Sequence, residues 1–152
     1  MQETPEIIGD KTPIAAAGAI CFRGEQVLLV KRAKPPHQGA WSIPGGRIEA
    51  GETAGAAALR ELGEETGVRA ELMGLVDVVD IIAAPSDGDK HGYHYVIIEY
   101  AAQWTSGEPI AADDAQEAKF VSLNALSDYH LSSETVRVIH KAAVIARRGM
   151  QA

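Results

Sequence analysis

Three glutamates stand close together in this 152-residue sequence: Glu61, Glu64 and Glu65. Their spacing of i, i+3 and i+4 places all three carboxylates on one face of a helix. Like charges at this spacing destabilise a helix, and a bound divalent cation would reverse the sign of that interaction. Because carboxylate oxygens suit hard ions, the cluster is a candidate site for Mg²⁺ or Mn²⁺.

A solvated acidic face is the ordinary explanation for such a cluster when it stands alone. Two neighbouring features favour a binding site instead. The tripeptide Pro44-Gly45-Gly46 lies shortly before the helix, and glycine lets a backbone approach a ligand closely. Arg60 stands four residues before Glu64, so its guanidinium can hold that carboxylate in place.

Residues 53–66 have the composition of a helix that would carry these glutamates. Thr53 is suited to be its N-cap, and Gly67 to be the left-handed residue that follows the last turn. Gly63, inside the helix, should cost about 1 kcal/mol relative to alanine.

The remaining elements follow from apolar runs and turn residues. Residues 13–22 and 25–32 are predicted strands that Arg23-Gly24 joins as a hairpin. We also expect strands at 70–83, 93–104 and 120–121, a short helix at 123–129, a final helix from Ser132 or Ser133 to about Arg148, and polar loops at 33–40, 84–92 and 111–118. This mixture predicts one α+β or α/β domain over residues 1–152, with 1–12 as a loose N-terminal arm.

The wider pattern around the glutamates resembles the Nudix box at every fixed position. In order, the matching residues are Gly46, Glu52, Arg60, Glu61, Leu62, Glu64, Glu65, Gly67 and Val68. Seven of these nine residues, leaving out the apolar Leu62 and Val68 and each used at roughly 6–7%, would coincide by chance about once in a hundred million placements. The flanking SIPGGRIEAGET is also similar to the usual approach to that box, and the order of elements is compatible with a Nudix domain over residues 13–148.

The resemblance implies an α+β fold, an α/β/α sandwich around a mixed sheet. It implies hydrolysis of a nucleoside diphosphate linked to another moiety, with Mg²⁺ or Mn²⁺ as cofactor. Carried over residue by residue, the metal ligands would be Glu61, Glu64, Glu65 and the carbonyl of Gly45. Glu52 would lie close to the metals, and Arg60 would orient a glutamate.

Attack by water on a diphosphate also needs a base. Glu64 is the candidate inside the box. Glu117 is the candidate outside it, because Glu117-Ala-Lys-Phe120 is similar to an acid-x-x-aromatic element of many relatives. A plain surface acid is an equally good interpretation of Glu117. Asp113 and Asp114 are further candidates, as a base or as contacts to a ribose.

Four residues outside the glutamate cluster are candidate substrate contacts. Arg32 and Arg47 flank the approach to the box and could bind phosphates. Trp41 could stack on a base or a ribose, or it could pack under the sheet. His94 falls on a strand that lines the substrate cleft in relatives, although a strand histidine is often structural.

The chain as a whole resembles bacterial ADP-ribose pyrophosphatase-like members of the family. Pro85 lies seventeen residues beyond Val68, near but not at the position where the ADP-ribose branch carries a proline. A (d)NTP pyrophosphatase that sanitises oxidised nucleotides is the alternative. A non-catalytic nucleotide sensor would usually lack box glutamates, and here all four are present.

Composition limits the partners. The net charge of −7 disfavours nucleic acid as a partner, since phosphate-backbone binding needs a basic surface. No apolar run is long enough to cross a bilayer, and the first residues do not resemble a secretion signal. The single cysteine, Cys21, excludes an intrachain disulfide and suggests a reducing, cytoplasmic location. Because Nudix enzymes are often dimers, the resemblance also suggests a homodimer, with the first hairpin as a possible interface.

Overall fold

A computed structural model of the protein describes residues 12–34, 37–85 and 92–151. The predicted arm at 1–12 lies outside the described residues except for Thr12, as does most of the predicted loop at 84–92. The elements in chain order are β1 (Ile14–Arg23), β2 (Gln26–Arg32), β3 (Trp41–Ser42), β4 (Gly45–Arg47), α1 (Ala54–Thr66), β5 (Arg69–Ala83), β6 (Tyr93–Ser106), β7 (Ala115–Ser122), a 3₁₀ helix (Leu123–Tyr129) and α2 (Ser133–Gln151).

The strands form one mixed sheet with helices on both faces. Its order is β3-β2-β1-β6-β5, while β4 pairs with β1 and β7 pairs with β2. Only the pairing of β1 with β6 is parallel in the part of the chain that the structure describes. One apolar cluster packs the sheet against α2, and a second packs it against α1. The predicted sandwich around a mixed sheet is therefore confirmed.

Strand β1 is buried on both faces because it lies at the centre of the sheet. Successive side chains of a strand point to opposite faces. Accordingly, Ala17 and Ala19 join the cluster under α1, whereas Ile20 and Phe22 join the cluster under α2. This double burial explains why the sequence of β1 is almost continuously apolar.

The sheet is divided beside the first half of β1. There β1 pairs with β4 at residues 16–18, and it pairs with β2 only at Phe22 and Arg23. The chain crosses this division between β3 and β4, and the amide of Ala19 donates to the carbonyl of Pro44 at 3.1 Å. The crossing brings Gly45 and Gly46 to the middle of the fold, directly beside α1.

Helix α1 begins and ends where its sequence predicts. The hydroxyl of Thr53 accepts a hydrogen bond from the amide of Ala56 at 3.1 Å. At the other end Gly67 has a φ of 73° and donates to the carbonyl of Gly63. Both caps satisfy backbone groups that a helix terminus would otherwise leave unpaired.

The loop predicted at 111–118 is wrong for its second half. Strand β7 begins at Ala115 and pairs with β2 from Glu117↔Lys31 to Ser122↔Gln26. The two residues that follow Ala115 in this strand, Gln116 and Glu117, are exposed. An edge position lets these polar side chains reach water, so the residues look like a loop in sequence although their backbone is paired. Strand β6 likewise continues to Ser106, two residues beyond the predicted end.

Cys21 lies fully buried in the cluster under α1. Burial raises the pKa of its thiol to about 12, so the thiol stays protonated and unreactive near neutral pH. None of the helices in the described ranges has the length and apolar content needed to span a membrane.

Replacing Gly63 with alanine is expected to stabilise the protein by about 0.5–1 kcal/mol. Its backbone is helical, and a Cβ there would meet no atom within 4 Å. Gly55→Ala in the same helix is the contrast, because its Cβ would come within 2.8 Å of Cδ1 of Leu72. Denaturant unfolding compares the two variants, and a Gly63→Ala protein less stable than the parent would contradict the prediction.

Candidate active site and metal centre

Glu61 lies directly on the backbone of β4. A Cβ added to Gly46 would overlap the carboxylate of Glu61, so any larger residue at 46 would displace that side chain. The side chain of Glu61 is only 18% exposed. Gly46 thus lets a carboxylate of the protein itself approach the main chain closely, and the predicted approach to a ligand stays a prediction.

Glu65 is the most buried acid of the cluster, with 7% of its surface exposed. Burial, followed by a hydrogen bond and charge repulsion from Glu61, raises the pKa of Glu65 to about 9, and a backbone hydrogen bond from Gly45 partly opposes this shift. A carboxylate can hydrogen-bond to another carboxylate only if one of them holds a proton. The raised pKa keeps that proton on Glu65 at neutral pH.

Arg60 contacts Glu52 and Glu61 in addition to Glu64, the one partner that the sequence predicted. Its Nη1 donates to Glu64, confirming the i, i+4 contact, and also to Oε1 of Glu61 at 2.9 Å. Its Nε and Nη2 hold Glu52 in a two-point contact at 2.6 and 3.0 Å. These hydrogen bonds raise the pKa of Arg60 and lower that of Glu52. Nη2 also binds the carbonyl of Arg47, which fixes β4 to α1.

The three predicted ligands differ in environment. Glu61 and Glu65 point inward to β4, whereas the side chain of Glu64 is 44% exposed and lies on Arg60. No group of three or more acidic, histidine or cysteine side chains in the described residues is arranged around a common metal position. The donor set nevertheless fits a hard cation, because the two carboxyl groups adjoin and a cation could replace the proton that Glu65 retains.

Among the loop acids, Asp114 is the one that the described structure connects to the cluster. Its charge contributes to the raised pKa of Glu65, and its carboxylate binds Lys34 at 2.9 Å. The amide of Ala112 donates to the carbonyl of Glu65, so this loop is attached to the end of α1. Glu117 instead lies on β7, where its side chain is half exposed and contacts Lys31.

The predicted substrate contacts are divided between the two faces of the sheet. Trp41 packs against the cluster under α2, edge-on to Tyr129 at 5.2 Å, as its packing interpretation predicts. Arg47 pairs with Ala16, which places its exposed side chain on the same face. His94 lies on the α1 face, by alternation from Tyr100 along β6. Arg32 is half-buried at the end of β2.

The sequence interpretation missed Glu99. This residue on β6 is 8% exposed, and its Oε1 has no hydrogen-bond partner in the described structure. Burial raises the pKa of its carboxyl to about 7. A lone acid in the otherwise apolar stretch VIIEYAA was the available signal, since a buried carboxylate is rare without a partner or a function.

Residues 12–142 match the family model described as NUDIX domain. The chain is 35% identical to an ADP-ribose pyrophosphatase of Methanocaldococcus jannaschii over 124 residues, which are 82% of this chain and 70% of that protein. It is 38% identical over 103 residues, 66% of this chain and 67% of the other, to a Mycobacterium tuberculosis protein with the provisional name 8-oxo-dGTP diphosphatase 2. A solved MutT NUDIX hydrolase from Burkholderia pseudomallei is similar with a TM-score of 0.70 and 29% identity, covering 86% of this chain and 98% of that chain.

Proposed function

Because the chain belongs to the NUDIX family and is a Nudix hydrolase, we propose that it cleaves the diphosphate bond of a nucleoside diphosphate linked to another moiety, with ADP-ribose as the first candidate substrate. The observation that carries the proposal is the carboxyl pair Glu61–Glu65: Glu61 lies directly on the backbone of Gly46, and Glu65 is buried beside it. No other pair of acids in the described ranges combines such burial with mutual contact.

Glu61, Glu64, Glu65 and the carbonyl of Gly45 would hold Mg²⁺ or Mn²⁺, the cofactor that we propose. Such an ion neutralises the diphosphate charge and lowers the pKa of bound water. The protein's own residues then orient the reactants. Arg60 holds the glutamates against β4, and Glu52 fixes the guanidinium of Arg60 from the opposite side.

ADP-ribose is the favoured substrate because the ADP-ribose pyrophosphatase of M. jannaschii aligns with four fifths of this chain. The second candidate is an oxidised nucleoside triphosphate, which the M. tuberculosis relative favours. A non-catalytic sensor is disfavoured because Glu52, Glu61, Glu64 and Glu65 are all present and held in place.

A substrate panel tests the proposal. Purified protein with Mg²⁺ is given ADP-ribose, NADH, dGTP, 8-oxo-dGTP, nucleotide sugars and diadenosine polyphosphates, and products are separated by chromatography. AMP with ribose 5-phosphate from ADP-ribose would support the first candidate. Pyrophosphate from a triphosphate would favour the second. Tight binding without turnover of any compound would overturn the enzymatic proposal.

We expect substitution of each candidate acid to identify the general base among Glu64, Asp114 and Glu117, which the sequence alone does not distinguish. Glu64→Gln and Asp114→Asn should each lower kcat, the true base by about 10²–10⁴-fold. Glu117→Gln should change kcat by much less, because the described contact of Glu117 is with Lys31 and not with a glutamate of the cluster. The pH–rate profile of each variant identifies the base, whose loss removes the acidic limb of the profile. A large effect at Glu117 alone would contradict this placement.

We expect metal binding to be coupled to pH through Glu65. Its carboxyl pKa is raised from 4.5 to about 9, so the folded protein keeps a proton that the unfolded chain releases above pH 4.5. Without metal, stability should therefore fall as pH rises from about 5 towards 9. Because metal replaces that proton, Mn²⁺ should raise Tm more at pH 8 than at pH 6.

Thermal unfolding with and without Mn²⁺ at both pH values measures this coupling. Glu65→Gln is the control variant, since it cannot release the proton and should lose the difference. Equal Tm shifts at the two pH values in the parent protein would contradict the prediction.

A homodimer and a cytoplasmic location also remain proposals. The hairpin of β1 and β2 is the proposed interface, and light scattering of the purified chain measures the molar mass directly. A monomer at all concentrations would overturn the dimer. Nucleic acid and membranes stay outside the proposed partners, and weak, salt-insensitive RNA binding would agree with the net charge of −7.

A further inference from the structure

Glu99 is one of two neighbouring acids on the α2 face of the sheet. The other is Asp77 on β5, which pairs directly with Glu99 in the sheet. The carboxylate of Asp77 binds Arg137 at 2.9 Å and Lys141 at 3.5 Å, both from α2. Glu99 contacts no cation in the described structure, although it is far more buried. Helix α2 therefore neutralises the charge of Asp77 and leaves Glu99 without a cationic partner in the described structure.

The carboxylate of Glu99 lies across β1 towards the loop before β4. A Cβ added to its β1 neighbour, Gly18, would overlap Oε1 of Glu99 and come within 3.2 Å of the carbonyl oxygen of Pro44. Glycine at position 18 thus makes room for the carboxylate. Two acceptors, the carboxylate of Glu99 and the carbonyl of Pro44, therefore line the space that a side chain at position 18 would fill.

This space adjoins the glutamate cluster through β4. Gly45 pairs with Gly18 on the face of Glu99, while Gly46 turns to the opposite face and contacts Glu61. Glu61 consequently contacts β4 from one face of the sheet, while Glu99 lies on the other face beside Gly18, the β1 partner of Gly45. Glu99 lies beside the proposed metal centre without belonging to its set of carboxylates.

The neighbours of Glu99 define the chemistry of a ligand on this face. Tyr95 and Ile97 precede Glu99 on the same face of β6. Arg47 has an exposed side chain and pairs with Ala16, two residues before Gly18. Phosphate groups would be attracted to Arg47 and to the metal site, and Glu99 would repel them. The group that meets Glu99 must instead donate hydrogen bonds, and sugar hydroxyls are the donors joined directly to a diphosphate.

We propose that Glu99 determines substrate specificity: its carboxylate accepts hydrogen bonds from the hydroxyl groups of the sugar that is attached to the diphosphate. The inference rests on the proposed function, since it requires a diphosphate at β4. It separates ribose-bearing compounds from deoxynucleotides, which lack one of these hydroxyls.

The stability of Glu99 variants distinguishes this role from a structural one. A buried acid without a partner costs stability, and an apolar residue of similar volume removes that cost. A residue kept for ligand binding should thus show opposite effects on stability and on function. Glu99→Met is expected to raise Tm, whereas a structural Glu99 would make the same variant less stable.

The binding test uses the full chain with Glu64→Gln added to prevent turnover. Calorimetric titration with Mg²⁺ compares ADP-ribose, ADP and 2′,3′-dideoxy-ADP. We expect Glu99→Met to weaken ADP-ribose binding by about 10–100-fold, and dideoxy-ADP binding to stay unchanged. ADP weakens as well if Glu99 contacts the nucleoside ribose, and stays unchanged if it contacts the terminal ribose. Glu71→Met, an exposed acid on β5, is the matched control and should alter neither ligand.

Three results for Glu99→Met would overturn the inference. Its ADP-ribose affinity could equal that of the parent, or its Tm could be lower. Its affinity for dideoxy-ADP could also fall as much as that for ADP-ribose, which would indicate a contact to the amine of the base. Hydrolysis is measured separately on the parent protein. A parent that binds ADP-ribose without cleaving it overturns the proposed function alone. A parent that cleaves it, with Glu99→Met affinity unchanged, overturns this inference alone.

Discussion

Replacing Glu65 with glutamine is expected to lower kcat/KM by about 10³-fold, because a catalytic metal supplies several kcal/mol of transition-state stabilisation. Glutamine has nearly the same volume and can still hydrogen-bond to Glu61, so the buried position stays filled. It cannot supply the anionic oxygen that Glu65 would offer a metal ion after releasing its proton. The loss should not be recovered by raising the Mg²⁺ concentration within a practical range.

Steady-state kinetics over a Mg²⁺ titration measures the effect. Glu71→Gln is the matched control, an exposed acid outside the box with no described partner, and it should retain parental activity. Full activity of Glu65→Gln with an unaltered metal dependence would exclude Glu65 from the metal centre.

Replacing Arg60 with alanine is expected to destabilise the metal-free protein by about 2 kcal/mol. The guanidinium is the shared partner of Glu52, Glu61 and Glu64, so its removal leaves these acids to repel one another. Divalent metal should restore part of the loss, because it neutralises the same carboxylates. Activity should fall as well, since the glutamates lose their orientation.

Urea unfolding with and without Mg²⁺ measures this prediction. Arg60→Lys is the informative comparison: it keeps the charge but cannot make the two-point contact with Glu52. We expect lysine to retain stability better than alanine. If Mg²⁺ stabilised the parent and Arg60→Ala equally, the repulsion between the glutamates would not be the cause of the loss.

Much of α1 could be predicted from its own residues. The cap at Thr53, the end at Gly67 and the pairing of Arg60 with Glu64 all depend on neighbours within one helical turn. Such short-range geometry is nearly the same in every helix, so residue types and spacing are sufficient. The box indicated the family because it too consists of residue types at fixed spacing, here at nine positions between Gly46 and Val68.

The strands were less predictable where burial depended on their neighbours. The start of β7 resembled a loop because its polar residues lie at an exposed edge and its pairing partner, β2, is more than eighty residues away in sequence. Likewise, the sequence left Glu117, Asp113 and Asp114 open as the loop acid, and only the structure shows that Glu117 contacts Lys31 and Asp114 contacts Lys34. Which face and which partner each strand residue has depends on register, and register is a property of the assembled sheet.

The sequence by itself determined the helix, its caps, its row of carboxylates and the family that this pattern indicates, because all of these are encoded within a few turns of chain. Only the tertiary structure decided how the carboxylates are used. It pressed Glu61 onto Gly46, bound Arg60 to Glu52, and buried Glu99 over Gly18 beside β4. These contacts join residues that are distant in sequence, and their distances follow from how β1 packs between β4 and β6, which no local pattern contains.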